Sequence, residues 1–347
     1  MPEFAISFAV ALLASFAMTP PVRQLAMHIG MVDHPGPRKV HQAPIPLMGG
    51  LAIYFGVLLA CVAALDGRGA WSQVLGILAG ATLVAVVGLL DDRGLLHHQI
   101  KLMLGMPTAA LILLASGIRI HLISAVFPGP YSLWLDAALT VLWVVGITAA
   151  FSILDHMDGL CAGAAAIASG FVTLLALLHE QLLVATLAAA VMGASIGFLR
   201  WNFNPAKIFM GDGGAMFLGF MMATLTIKLR FMEMVPGVSW MLPVLVLGIP
   251  VFDTTLVTIS RTRRGLIPFA TPGKDHAAHR LANLGLGQRG AVLALYALGL
   301  VTGLLALLMT WLTSPQAIAL GGIAAVAALG AVAALERAPF ERQAGTR

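Results

Sequence analysis

The chain has 347 residues, 59% of them hydrophobic and only 10% charged, with a net charge of +5 at pH 7 and a mean hydropathy of +0.94. Soluble domains carry about a quarter charged residues, so this composition excludes a soluble globular protein. The positive charge sits in short breaks between apolar runs, which points to anionic headgroups or an anionic substrate and not to nucleic acid.

Runs of about 20 apolar residues are long enough to cross the hydrocarbon core as helices. They predict an all-α polytopic membrane protein of eleven transmembrane helices, near 4–27, 47–65, 73–90, 102–118, 133–153, 160–179, 181–199, 214–229, 238–258, 291–313 and 315–335. With the N-terminus outside, every Lys and Arg except Arg68, Arg119, Lys228 and Arg230 falls on one side. A basic excess in short loops belongs in the cytoplasm, so this side, with the C-terminus, is expected to be cytoplasmic and the protein to lie in the inner membrane. A single membrane domain over 1–347, with a short cytoplasmic tail at 336–347, is the expected organisation. The first run is too long for a signal-peptide core and lacks a basic leader. Cys61 and Cys161 have no CxxC spacing and read as buried spectator thiols.

Five segments on the expected cytoplasmic side carry the polar chemistry. The first presents Arg38, Lys39 and His41 among prolines, either as a membrane anchor or as a phosphate contact. The second holds Asp91-Asp92, followed by Arg93 and Lys101. Adjacent carboxylates repel, so the pair needs a cation or a shared proton. A divalent metal, an acid/base role and a solvated pair partnered by Arg93 and Lys101 all meet that need.

The third segment, Ser152-Ile-Leu-Asp155-His156-Met-Asp158-Gly159, is a short connection with no Lys or Arg between Arg119 and Arg200. On a continuing helix Asp155 and Asp158 would lie on one face and could share a ligand. The fourth, Asn202-Phe-Asn204-Pro-Ala-Lys207-Ile-Phe209-Met-Gly211-Asp212-Gly213-Gly214, sets an acid among glycines at a helix start. Free N–H groups there favour phosphate, and Asp212 reads as a Mg²⁺ ligand or a helix cap. The fifth contains Asp275-His276-Ala-Ala-His279-Arg280. HxxH without a nearby acid is loose for zinc, and a cationic clamp on a diphosphate is the better reading.

In order, RKVHQ with PIPLMGG, GLLDDR, LDHMDGL, NFNPAKIFMGDGG and DHAAHRL resemble the polyprenyl-phosphate N-acetylhexosaminyl-1-phosphate transferases of the WecA and MraY types. The resemblance covers nearly the whole chain. It implies Mg²⁺-dependent (or Mn²⁺-dependent) transfer of a sugar-1-phosphate, most naturally GlcNAc-1-phosphate, from a UDP-N-acetylhexosamine to undecaprenyl phosphate. UMP would be released at the cytoplasmic face, and the product would initiate a cell-envelope polysaccharide such as O-antigen.

By the same resemblance Asp91 and Asp92 bind metal or deprotonate the lipid phosphate. Asp155 and Asp158 meet the nucleotide sugar, Asp212 binds Mg²⁺, and Phe209 stacks on uracil. His276 and His279 belong to a catalytic histidine motif, while Lys101, Ser152, Asn204 and Arg280 join Arg38, Lys39 and His41 as substrate contacts. Membrane lipids are the surroundings, nucleic acid is not a partner, and a homodimer is compatible with the sequence. Where the family commonly has Asn-Ala-Phe-Asn, the chain has Ala149-Ala-Phe151-Ser152, and His156 replaces a glycine. His276-Ala-Ala-His279 in place of a histidine triplet leans toward the WecA type.

Three alternatives stay open. One is the same chemistry on another UDP-sugar, including phospho-MurNAc-pentapeptide. The others are a silent lipid-binding homologue and a transporter, though carrier sites lie near the bilayer midplane and these acids lie at span ends.

Overall fold

In the computed structural model, which describes residues 2–35, 43–64, 71–96, 98–268, 273–338 and 340, almost all regular structure is helical. The chain forms two compact units, Met1–Pro236 and Gly237–Arg347. The first contains α1 (Glu3–His28), α2 (Gly49–Ala64), α3 (Trp71–Asp92), α4 (His98–Ile100), a π-turn at Lys101–Gly105, α5 (Met106–Ala115), α6 (Ile123–Val126), α7 (Ser132–Leu154), α8 (Leu160–Leu178), α9 (Leu182–Asn202) and α10 (Gly211–Lys228). Two short strands, β1 (Val32–Asp33) and β2 (Ile45–Pro46), pair antiparallel with Val32 opposite Pro46.

At the centre of this unit is α10. It is buried continuously from Gly214 to Ile227, as expected of a helix that is apolar all round. Its neighbours are α2, α3, α7, α8 and α9. Small residues let these helices approach closely, the usual device when lipid removes the hydrophobic drive between helices. A Cβ on Gly50 of α2 would overlap the backbone of Gly214, and one on Gly88 of α3 would fall 2.5 Å from the Asp212 carbonyl. The start of α10 is thereby pressed against the end of α3, which carries Asp91 and Asp92.

The second unit opens with α11 (Pro236–Ser239) and α12 (Met241–Val246), followed by α13 (Gly248–Arg263), α14 (Ala277–Leu281), a π-turn at Ala282–Leu286, α15 (Gly287–Met309) and α16 (Ser314–Glu336). The apolar stretch Pro236–Val246 and α13 are bent by 85°. Pro250 lies in the first turn of α13, where it has no N–H to continue the hydrogen-bond ladder across the break at Leu247.

All eleven predicted apolar runs fall on helices, yet among the described residues seven helices can cross a membrane by length and composition, or eight if the bent pair is one span. The 16 residues of α2 rise about 24 Å, short of a hydrocarbon core of about 30 Å. The Lys101–Ala115 helix is shorter still.

Candidate active site

In the first unit the acids of three predicted segments converge on the start of α10. Asp91 and Asp92 end α3, but their side chains diverge. Asp91 Oδ2 accepts from Lys101 Nζ at 2.7 Å, and the same ammonium pairs with Asp212 Oδ2. Asp92 accepts the backbone N–H of Asp212 at 2.8 Å on Oδ1 and that of Gly213 at 3.2 Å on Oδ2. The first N–H groups of α10, read from the sequence as a phosphate seat, are therefore taken by Asp92. A carboxylate at a helix start satisfies otherwise orphaned donors and the positive end of the dipole, which explains the displacement of that expectation. Gly211, at φ +76, lets the chain turn there, and a Cβ on it would strike the Asp92 carboxyl.

Ser152 Oγ donates to Asp212 Oδ1 at 2.6 Å. Asp212 is thus gripped from both sides, by a hydroxyl on one oxygen and an ammonium on the other. Lys101, at the head of its π-turn, is 14% exposed along its side chain, and its partners Asp91 and Asp212 are 17% and 21% exposed. Ser152 and Lys101, expected to touch substrate, here hold Asp212.

Asp155 and Asp158 do not share a helix face. α7 ends at Leu154, and the chain turns through Asp155 to Gly159, whose φ is +79. Asp155 joins the cluster and accepts the Gly211 backbone N–H. Burial first, then the negative charges of Asp212 and Asp92, push its carboxyl up to about 8. Asp158 faces away, accepting from Asn204 Nδ2 and from Ala206 N, both at 3.0 Å. Asn204 thus meets Asp158. The donors that the sequence required for these acids come from the segment before α10 and not from a cation.

Asn202, unassigned in the sequence reading, ties the two loops together. It accepts from Gly159 N at 3.1 Å and donates to Ile208 O at 3.0 Å, and it is buried. Its one sequence signal is an amide at the end of an apolar helix. Phe209 is held by its backbone, donating to Pro46 O at 2.8 Å and accepting from Gly49 N at 2.9 Å, with its side chain half-buried. Arg38, Lys39 and His41 lie outside the described residues.

The second unit carries a separate polar cluster. Asp275 receives Arg261 at two atoms, Nη2 at 2.7 Å and Nε at 3.0 Å, and pairs with Arg264. Burial alone pushes Asp275 up, but the hydrogen bonds and charge of Arg261, with those of Arg264, hold its carboxyl well below the usual range. Arg280 corrects an expectation. It is fully buried and donates to Ser260 Oγ, Asp275 O and Leu335 O, with Glu336 at 3.1 Å. Those contacts occupy the guanidinium in tying α14 to α13 and α16, not in meeting a phosphate. His276 pairs with Asp253 at 2.7 Å, and the His279 ring lies 6.4 Å from that of His276.

The acidic cluster suits a hard divalent cation. Asp91, Asp92, Asp155 and Asp212 offer only oxygen donors, and Lys101 Nζ already stands as one shared cation between Asp91 and Asp212.

The sequence profile of glycosyl transferase family 4 matches residues 74–230, the stretch that carries this cluster. Over 311 residues the chain is 37% identical to a Bacillus subtilis protein described as "probable undecaprenyl-phosphate N-acetylglucosaminyl 1-phosphate transferase", covering 89% of this chain and 86% of that one. It is 32% identical to decaprenyl-phosphate N-acetylglucosaminephosphotransferase of Mycobacterium tuberculosis, covering 85% and 79%. It is 31% identical to phospho-N-acetylmuramoyl-pentapeptide-transferase of Bacillus cytotoxicus, covering 78% and 83%.

Proposed function

The chain belongs to the polyprenyl-phosphate N-acetylhexosaminyl-1-phosphate transferases of glycosyl transferase family 4, and from that premise we propose that it moves GlcNAc-1-phosphate from UDP-GlcNAc to undecaprenyl phosphate with Mg²⁺. As a member it is an enzyme, a glycosyl-1-phosphate transferase. The observation that carries the finer reading is the pairing of Asp91 and Asp212 with Lys101, beside Asp92 and Asp155 on the backbone at the start of α10.

In the reaction an oxygen of the lipid phosphate bonds to the sugar-bearing phosphorus of the nucleotide. The bond from that phosphorus to the UMP oxygen breaks, and the electron pair leaves with UMP. Two phosphates about 4 Å apart repel by about 4 kcal/mol per pair of unit charges at an effective dielectric near 20, so neutralising and positioning charge is most of the task. Mg²⁺, or Mn²⁺ in its place, supplies that neutralisation when bound, and Asp212 and Asp91 are the residues that would hold it. Ser152 fixes one Asp212 oxygen, leaving the other for the site's cation. Lys101 offers a second positive charge. Asp155, its carboxyl pushed up to about 8 by burial and by Asp212 and Asp92, holds a proton at neutral pH in the metal-free protein. Asp158 and Asn204 brace the adjoining loop, from which Phe209 would meet the uracil.

The membrane reading follows the charge pattern. We propose eleven spans with the N-terminus outside and this acid cluster facing the cytoplasm across the inner membrane, in a monomer or homodimer. The product would start a cell-envelope polysaccharide. Transfer of phospho-MurNAc-pentapeptide is the second reading, favoured by the 31% identity to a transferase of that name.

The test is UMP release by purified protein given Mg²⁺, a polyprenyl phosphate and a panel of UDP-sugars. UMP and lipid-linked product from UDP-GlcNAc support the proposal. Turnover with a different sugar alone would overturn the substrate, and UMP release without a polyprenyl phosphate would overturn the acceptor.

A further inference from the structure

Within the first unit, positive charge gathers around one tryptophan with no acid to balance it. The local sequence explains how the ring is placed. In α1, Pro20 has no N–H, so the carbonyl of Phe16, four residues earlier, loses its helical donor. Trp201, near the end of α9, supplies a replacement: its indole Nε1 donates to Phe16 O at 3.2 Å, and the two rings lie 5.7 Å apart. The indole is thereby fixed against α1.

Three cations meet at this ring. Arg200 Cζ lies 5.7 Å from the ring centre and Lys207 Nζ 5.6 Å, each within cation–π range. Arg23, three residues beyond Pro20, donates from Nε to Lys207 O at 3.0 Å, which brings a second guanidinium to the same place. Among the described residues none of the three pairs with a carboxylate. The helix dipole favours a cation in the last turn of α9, which accounts for Arg200 but not for Lys207 or Arg23.

The ring also stands at the end of a membrane-length helix. From Leu182 to Trp201, α9 rises about 28 Å, close to a hydrocarbon core of about 30 Å. Trp201 is therefore where acyl tails give way to headgroups, a level that tryptophan favours. Leu13 lies one turn before Phe16, and Ile196 one turn before Arg200; both are exposed, as is Phe16. Apolar surface thus leads along each helix up to the cations.

We propose that Trp201, Arg200, Lys207 and Arg23 form a binding site for the headgroup phosphate of an anionic phospholipid, with its acyl chains along Leu13, Phe16 and Ile196. Two guanidiniums and an ammonium suit phosphodiester oxygens, and with no carboxylate paired to them they favour a net negative headgroup over a zwitterionic one. The acceptor lipid must bring its own phosphate to the acids at the start of α10. The Trp201 cluster has no acid or metal ligand, so it holds a lipid and does not transform it. The inference depends on the chain's lying in a bilayer, not on which sugar it transfers.

The test places the full-length protein in phosphatidylcholine vesicles that contain a brominated lipid as fluorescence quencher. Brominated phosphatidylglycerol is compared with brominated phosphatidylcholine at the same fraction, and subtracting the signal of Trp201→Phe isolates the share of Trp201. The expected result is stronger quenching of Trp201 by phosphatidylglycerol, weakened by high salt. That preference should fall about fivefold for each of Arg23→Gln, Arg200→Gln and Lys207→Gln, the scale of one basic residue at an anionic surface.

Equal quenching of the native protein by the two lipids overturns the proposal without recourse to any variant. So does a preference that survives the three substitutions combined, which would mark a general surface attraction. A preference abolished by trace polyprenyl phosphate also overturns it, because the cluster would then belong to the acceptor.

Discussion

Asp91 and Asp92 are adjacent in the chain and take opposite partners: Asp91 meets the Lys101 ammonium at 2.7 Å, while Asp92 accepts the Asp212 backbone N–H at 2.8 Å. The repulsion expected of neighbouring carboxylates is relieved by this division, one oxygen pair against a cation and the other against a helix start. The two acids should therefore respond differently to substitution.

Asp212 is the carboxylate shared by Lys101 and Ser152. Asp212→Asn keeps an oxygen for the Ser152 hydroxyl and removes the charge. UMP release should fall by about 10³-fold or more, with thermal unfolding little changed. Near-normal turnover would refute the metal-binding role.

Lys101 holds a place that a divalent cation would share. Lys101→Met removes the ammonium that Asp91 and Asp212 share. Turnover should fall, while Mg²⁺ should raise the unfolding temperature more than it does in the native protein. A tenfold gain in Mg²⁺ affinity is about 1.4 kcal/mol of added stabilisation at saturating metal. Identical Mg²⁺ titrations of the two proteins would count against the assignment.

Asn202→Ala should leave the buried Gly159 N–H and Ile208 carbonyl without their partner. A loss of about 2–4 kcal/mol is expected from two such groups, seen as a lower unfolding temperature in detergent. Activity should fall as well, because both flanking loops carry acids of the site.

The Asp155 carboxyl, lifted by burial and by Asp212 and Asp92 from 3.8 to about 8, sets a direction with pH. The folded protein keeps a proton there that the unfolded chain gives up near 3.8. The stability this contributes is complete below 3.8 and is eroded as pH rises through 8. In EDTA, Asp155→Asn should flatten that decline and unfold at a higher temperature than the native protein at about pH 9. An unchanged slope would show that Asp155 is already ionised in the fold.

The helices were the most legible part of the sequence, since an apolar run announces itself by length alone. Their status as spans was less so: α10 is buried in protein along its length and α2 has only 16 residues, neither of which an apolar run announces. Among the site residues, the glycines around Asp212 marked the start of α10 correctly. The parting of Asp155 from Asp158 was not legible, because a five-residue turn has no period to read. Asp92 finds its amide 120 positions along the chain, a pairing no local pattern encodes. Arg280 looked like a phosphate ligand because a cation beside histidines is a surface motif, and only the fold shows it walled in by Ser260 and Glu336.

The Asp92 carboxylate on the first N–H groups of α10 also bears on inhibition. It behaves as a tethered competitor, present at the high effective concentration of any intramolecular ligand. A phosphate mimic aimed at that helix start must displace it and will bind below the strength its own contacts suggest. A compound that leaves Asp92 in place and engages Asp91, Lys101 and Asp212 avoids that contest.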